Sequence, residues 1–191
     1  MAAEAREREE RVRKLTFDDV LRMAEIGIIG EVERVELVDG VLVEMSPEGV
    51  DHAGAVSELA TRLARVYPEG FQMRSQSTLP IGEHSFLEPD VIVREGRWTW
   101  PTPADVALVV EVARSSVARD LSEKAGLYAA WGAREYWVVD LVRREVVIHT
   151  DPARGRYGSV RAITSGTVEP PGCGTSILLE DLLPPPDLIV G

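Results

Sequence analysis

The chain has a single cysteine and no long apolar run, and each of these absences excludes a structural feature. Because Cys173 has no second cysteine to pair with, an intrachain disulfide is excluded, which is typical of a reducing compartment. No segment approaches the ~20 consecutive apolar residues of a membrane-spanning helix. Residues 5–13 are rich in Glu and Arg and contain no apolar core, so we expect no signal peptide. These absences predict a cytoplasmic protein.

Positive charge is also scarce in this chain. The 21 Lys and Arg residues are outnumbered by 32 Asp and Glu residues, and the formal net charge is -11. This balance argues against a nucleic-acid partner, because phosphate binding usually leaves a basic surface. Arginines gathered on one face could still bind DNA, and the sequence leaves both alternatives open.

The remaining composition is that of a soluble globular protein, with 45% hydrophobic and 28% charged residues. Residues 1–14 contain a charge run that predicts a charged N-terminal arm, either solvated or a frayed helix. Residues 15–191 are long enough for one domain with its own core, and they contain no internal repeat or linker.

Local patterns predict an α/β fold. Thr16 and Asp19 can form a capping box at the start of a short helix, and Asp39-Gly40 between apolar residues is a strong hairpin signal. We predict helices at 16–25, 51–66 and 116–132, and strands at 33–38, 41–45, 71–81, 90–94, 105–112, 135–140, 145–150 and 157–163. This order predicts a mixed β-sheet flanked by helices, with additional hairpins near both ends of the chain.

Two carboxylates adjoin apolar strands. Asp90 precedes residues 91–93, and Glu111 follows residues 106–110, which are apolar throughout, as in a strand buried on both faces. If the strands are neighbours, the carboxylates converge at the edge of the sheet, where they need a partner or a metal. In the alternative interpretation, Asp90 is a turn residue and Glu111 pairs with Arg114.

Lys124 is one of only two lysines in the chain. At helical spacing it falls in the apolar stripe that should face the sheet. The members of this stripe are Val117, Leu121, Lys124, Tyr128 and Trp131. Lys124 could instead extend past the stripe to solvent, or pair with Asp120 one turn away.

Two acids and a lysine at one site suit hydrolysis of a phosphodiester. Carboxylates hold Mg²⁺ or Mn²⁺, and the metal polarises the phosphate and activates water. A lysine can orient that water or stabilise the developing negative charge. We therefore expect Asp90, Glu111 and Lys124 to form a catalytic set.

The residues that carry this chemistry resemble a known signature. Pro89-Asp90 followed by Glu111-Val112-Ala113 is similar to the PD-(D/E)XK nuclease motif, with Ala113 at the usual lysine position and Lys124 as a migrated lysine. Residues 16–183 resemble the Uma2 family (DUF820) of putative restriction endonucleases. The matching stretches are residues 35–40, His52, 87–91, 108–112, 120–128 and 134–140.

The resemblance implies a restriction-endonuclease-like fold and a metal held by Asp90, Glu111 and the backbone carbonyl of Val112. His52, Glu36 and Asp120 are candidate accessory residues. The helical stripe of His52 points toward the sheet, yet a first-turn histidine can simply bond to backbone. Glu36 matches the family pattern, but in a hairpin it could also face solvent or pair with Arg34.

Two functional hypotheses follow. The first is a metal-dependent endonuclease acting on DNA as a homodimer, since duplex cleavage on this fold commonly uses paired subunits. The apolar loop at residues 98–103 is the expected contact, although Trp98 and Trp100 could instead stack on bases or cover the edge of the core. The alternative is a catalytically inactive regulatory or interaction protein, since fold alone does not determine function.

Overall fold

The computed structural model of the chain describes residues 13–30, 32–46, 49–96 and 98–185. The arm predicted for residues 1–14 therefore lies almost entirely outside the described residues. The helices are α1 (Phe17–Glu25), α2 (Val50–Val66), α3 (Val117–Arg119) and α4 (Ala125–Trp131), with a π-helical turn (Asp120–Lys124) between α3 and α4 and a 3₁₀ turn at Leu179–Leu182. The strands are β1 (Val35–Val38), β2 (Val41–Glu44), β3 (Phe71–Ser75), β4 (Leu79–Gly82), β5 (Ser85–Leu87), β6 (Val91–Glu95), β7 (Val106–Ala113), β8 (Glu135–Asp140), β9 (Glu145–Ala153), β10 (Arg156–Ile163), β11 (Thr167–Val168) and β12 (Ile177–Leu178).

A six-stranded sheet forms the centre of the fold, in the order β10-β9-β8-β7-β6-β3. Strands β7 and β8 are parallel and are joined by the α3–α4 segment, while the other neighbours are antiparallel. The predicted mixed sheet flanked by helices is confirmed. No described helix has the length and apolar character needed to cross a membrane.

The apolar sequence of β7 is explained by burial on both faces. Leu108 and Val110 pack in the core that contains α2, whereas Val109 and Ala113 pack in the core that contains α4. Burying each such side chain stabilises the fold by about 1.5–3 kcal/mol for the larger residues. Because side chains alternate along a strand, Glu111 lies on the α4 face with Val109 and Ala113.

A second sheet in the order β2-β1-β5-β4 holds the N-terminal hairpin. The predicted Asp39-Gly40 turn is confirmed, with φ angles of 49° and 80° that match a type I′ turn. The capping box of Thr16 and Asp19 is also present. This sheet places β1 beside β5, so residues near the start of the chain reach the segment that precedes Asp90.

Two predictions for the middle of the chain are wrong. The single strand expected at 71–81 is divided between β3 and β4, which belong to different sheets, and Gln76 between them has a φ of 48°. The loop expected at 82–86 contains most of β5, which forms a hairpin with β4. The left-handed backbone at Gln76 breaks the extended path that the composition of this segment suggested.

The C-terminal half agrees more closely with prediction. The hairpin of β8 and β9 and the edge strand β10 are confirmed. Asp140 stabilises the turn between β8 and β9, because its Oδ1 accepts hydrogen bonds from the backbone N–H groups of Val142 and Arg143.

Candidate active site

Asp90 and Glu111 lie opposite each other across two neighbouring strands. Val91 pairs with Val110 in the β6–β7 register, so the next residues outward, Asp90 and Glu111, face each other. Ile92 and Val109 belong to the α4-side core, and alternation places both carboxylates on that face. Strand β7 continues to Ala113, so Glu111 lies within the strand, as the predicted range of 105–112 implies.

The carboxylate of Asp90 is fixed by a backbone group and a histidine. Its Oδ2 accepts a hydrogen bond from the Val112 N–H at 2.7 Å and lies 3.2 Å from His52 Nε2. His52, on the first turn of α2, also places Nε2 2.8 Å from the carbonyl oxygen of Val112. Both interpretations of His52 therefore hold, since it bonds to backbone and lies beside the acid.

The π-helical turn positions Lys124 over the sheet. Lys124 is 4% exposed, as are Asp90 and Glu111. Its Nζ lies 3.0 Å from Glu111 Oε1 and 3.0 Å from Glu36 Oε1. The alternatives that Lys124 reaches solvent and that Glu111 pairs with Arg114 are both wrong, because burial and these contacts exclude the first and Arg114 contacts Asp51.

Glu36 on β1 completes the contacts of the lysine. The residue is fully buried, so the alternative that it faces solvent is wrong. Its Oε1 contacts Lys124, and its Oε2 lies 3.0 Å from Arg119 Nη2. A buried carboxylate with two cationic neighbours is stabilised by them, and it holds both side chains in place.

Asp120 and two residues without a predicted role complete the surroundings. Asp120 Oδ2 accepts a hydrogen bond from Ser116 Oγ at 2.6 Å, while its Oδ1 is 4.0 Å from Lys124 Nζ. The Ser116 side chain makes no capping hydrogen bond to the helix backbone. Tyr128 O–H donates to Glu111 Oε1 at 2.7 Å. Tyr128 follows Lys124 by four residues, so both lie on the same face of the helix, and this spacing could have predicted that Tyr128 reaches the site.

Burial and charge shift the titration of this cluster. Burial raises the pKa of Glu111 to about 8, with Lys124 acting in the opposite direction and Asp90 adding to the rise. Burial also raises the pKa of Asp120, against the hydrogen bond from Ser116. Burial acts to lower the pKa of Lys124, but the three carboxylates near it raise the pKa more strongly, so the lysine stays protonated.

The donor set and the charge of the cluster fit a divalent cation. Four buried carboxyl groups lie near two cationic side chains, which leaves a formal excess of two negative charges when all four are ionised. The carboxylates are Glu36, Asp90, Glu111 and Asp120, and the cations are Lys124 and Arg119. Among the described residues, no three His, Cys, Asp or Glu side chains are grouped to hold a metal by themselves. A cation here would therefore need a backbone oxygen such as that of Val112, which contacts the same His52 nitrogen as Asp90 Oδ2.

A cavity of about 350 Å³ opens onto these residues. Asp90, Glu111, Lys124 and His52 line it, while Arg119 forms part of its wall. A larger cavity of about 790 Å³ lies between α2 and residues 180–185, but none of the predicted catalytic residues line it. The chemistry of the side chains therefore favours the smaller cavity as the active site.

Comparisons with known proteins identify the family and the fold. A sequence model of Uma2, described as putative restriction endonuclease, matches residues 17–177. A crystal structure with a similar fold is that of a putative nuclease belonging to DUF820 from Anabaena variabilis ATCC 29413. The two chains are 14% identical, the match covers 88% of this chain and 97% of that chain, and the TM-score is 0.70. This likeness shows a common fold. A search of curated proteins found none that matches the chain.

Proposed function

The chain belongs to the Uma2 family, and we propose that it is a Mg²⁺- or Mn²⁺-dependent endonuclease that hydrolyses phosphodiester bonds of DNA. The observation that carries this proposal is the buried Lys124, whose ammonium contacts Glu111 at the cavity lined by Asp90. A structural ion pair would need neither the second carboxylate nor the open cavity.

Three groups are suited to hold the metal. Glu111 Oε1 already accepts hydrogen bonds from Lys124 and Tyr128, so its Oε2 is the oxygen we assign to the cation. Asp90 and the carbonyl oxygen of Val112 provide the other protein ligands. When bound, the metal would polarise the phosphate and lower the pKa of a bound water.

One N–H group of the Lys124 ammonium is available for the reaction. A protonated lysine carries three N–H groups, and its two close contacts are Glu111 and Glu36. Asp120 Oδ1, at 4.0 Å, is beyond hydrogen-bonding distance. We assign the third N–H to the attacking water or to a phosphate oxygen, where it would stabilise the negative charge that develops. Glu36 is then a positioning residue that holds the ammonium over the cavity.

The experiment is nicking of supercoiled plasmid with Mg²⁺ or Mn²⁺ and with chelator. We expect metal-dependent nicking by the wild type, none by Asp90→Asn, and a loss of about 10²–10³-fold in Lys124→Met. Asp39→Asn is the matched control, because it removes an exposed carboxylate of the hairpin turn, and it should nick normally. Metal binding without nicking on DNA would contradict the proposal and favour the catalytically inactive alternative.

A further inference from the structure

His52 occupies an unusual position between two oxygens of the candidate metal site. Its Nε2 is 2.8 Å from the Val112 carbonyl oxygen and 3.2 Å from Asp90 Oδ2. The side chain lines the cavity and is largely buried. A histidine whose function is only to anchor a helix would need one acceptor, and it would not need to contact a carboxylate that is itself a candidate ligand.

We propose that His52 is a nitrogen ligand of the metal and makes the site prefer transition-metal ions to Mg²⁺. This inference rests on the proposed function, because it adds a ligand to the same metal site. Adjacent ligands of an octahedral ion with bonds of about 2.1 Å are about 3.0 Å apart, since they subtend a right angle. The two distances measured from Nε2 bracket this value.

The proton of the imidazole must move for this role. A carbonyl oxygen can only accept a hydrogen bond, so the short contact with Val112 requires Nε2 to carry the proton in the metal-free protein. To hold a metal, Nε2 would offer its lone pair and the proton would lie on Nδ1, so the ring would remain neutral. One cation would replace one hydrogen bond and bring the three groups into its own coordination shell.

The identity of the ligand atoms then determines which metal ion the site prefers. Mg²⁺ favours oxygen ligands, whereas imidazole suits the later transition metals, and affinity for a nitrogen site rises from Mn²⁺ to Ni²⁺. Removing the imidazole should therefore lower the affinity most for Ni²⁺, less for Mn²⁺ and least for Mg²⁺. A histidine that only anchors the Val112 carbonyl would produce no such gradient.

The test compares His52→Gln with His84→Gln by titration calorimetry, using each ion alone. Glutamine keeps an amide that can donate to the Val112 carbonyl but does not replace the imidazole nitrogen. His84 is the matched control, because its ring Nδ1 also lies 2.8 Å from a backbone carbonyl oxygen, that of Leu15. Circular dichroism should show that both variants are folded.

We expect His52→Gln to weaken Ni²⁺ binding by at least about tenfold and Mg²⁺ binding by less than about twofold. His84→Gln should leave the affinities for all three ions unchanged. As a measurement that does not depend on the variant folding, pulsed electron paramagnetic resonance of bound Mn²⁺ should detect coupling to ¹⁴N in the wild type.

Two results would overturn the inference in different ways. Equal losses for the three ions, no loss, or the absence of ¹⁴N coupling would show that His52 is not a ligand, while the proposed nuclease with its oxygen ligands would stand. A wild type that binds none of the ions would overturn both the inference and the metal dependence of the proposed function.

Discussion

Replacing Lys124 with methionine should destabilise the metal-free protein far more than loss of an ordinary surface charge. Methionine keeps most of the length and apolar volume of the side chain but removes the ammonium. Glu111 and Glu36 would then be left buried and without their shared cationic partner at 3.0 Å. Breaking a buried ion pair from one side costs about 3–5 kcal/mol. That is a large fraction of the 5–15 kcal/mol by which a typical domain is stable.

The assay is urea unfolding in chelator at about pH 9, followed by circular dichroism, because burial raises the pKa of Glu111 to about 8 and its carboxylate must be ionised for this comparison. The matched control is Lys14→Met, because Lys14 is the other lysine of the chain and contacts the exposed Asp39. An exposed pair contributes about 0.2–1 kcal/mol, so the control should lose no more than that. Excess Mn²⁺ should restore part of the loss in Lys124→Met, since a bound cation also neutralises the carboxylates. Equal and small losses in the two variants would refute the electrostatic role of Lys124.

Further measurements test other parts of the site and the assembly. Asp90→Asn should melt higher than wild type in chelator, because repulsion falls while an amide oxygen can still accept from the Val112 N–H. It should also lose the Mn²⁺ stabilisation, about 2.7 kcal/mol at a hundredfold excess over Kd; a lower melting temperature with the full Mn²⁺ shift would contradict this. Folding raises the pKa of Glu111 from 4.5 to about 8, so wild type binds a proton on folding and loses stability as pH rises through this window. Glu111→Gln should therefore gain stability relative to wild type by up to about 1.4 kcal/mol per pH unit between these values, as measured by urea unfolding in chelator, and a constant difference would exclude the shift. We also propose that the protein is a homodimer using the loop of Trp98, which is 95% exposed, and sedimentation showing a monomer at micromolar concentration would exclude it.

The strands of the central sheet could be predicted because they depend on local patterns. An apolar strand buried on both faces and a second apolar segment beside an acid predict two strands, and the acids converge only if these strands are neighbours, as they are in the β6–β7 register. The Asp39-Gly40 turn and the capping box are likewise determined by a few adjacent residues. Lys124 was found because its position in an apolar stripe conflicts with its charge.

The contacts of Glu36 and Arg119 could not be predicted, because they depend on how distant segments meet. Glu36 lies on β1 of the second sheet, and it is 83 positions from Arg119 in the sequence. The π-helical turn was not predicted either. Regular helical spacing assumes about 3.6 residues per turn, whereas a π-helical turn is wider and changes which side chains share one face. Such turns are frequent at functional sites, and here the turn begins at Asp120 and ends at Lys124.

The acidic net charge carries less weight against a phosphodiester substrate once the positions of the charges are considered. Four of the acidic residues are buried in one cluster, where their formal excess of two negative charges matches the charge of one divalent cation. Arg114, Arg119 and Lys124 line the cavity together with acidic residues. The electrostatics that a scissile phosphate would meet are therefore set by the charged side chains of this lining and by the metal we propose, rather than by the total of -11. The remaining acidic surface would weaken binding along the rest of a DNA molecule, since each phosphate contact normally needs a basic partner. This arrangement favours chemistry at one phosphate over extended, sequence-independent binding.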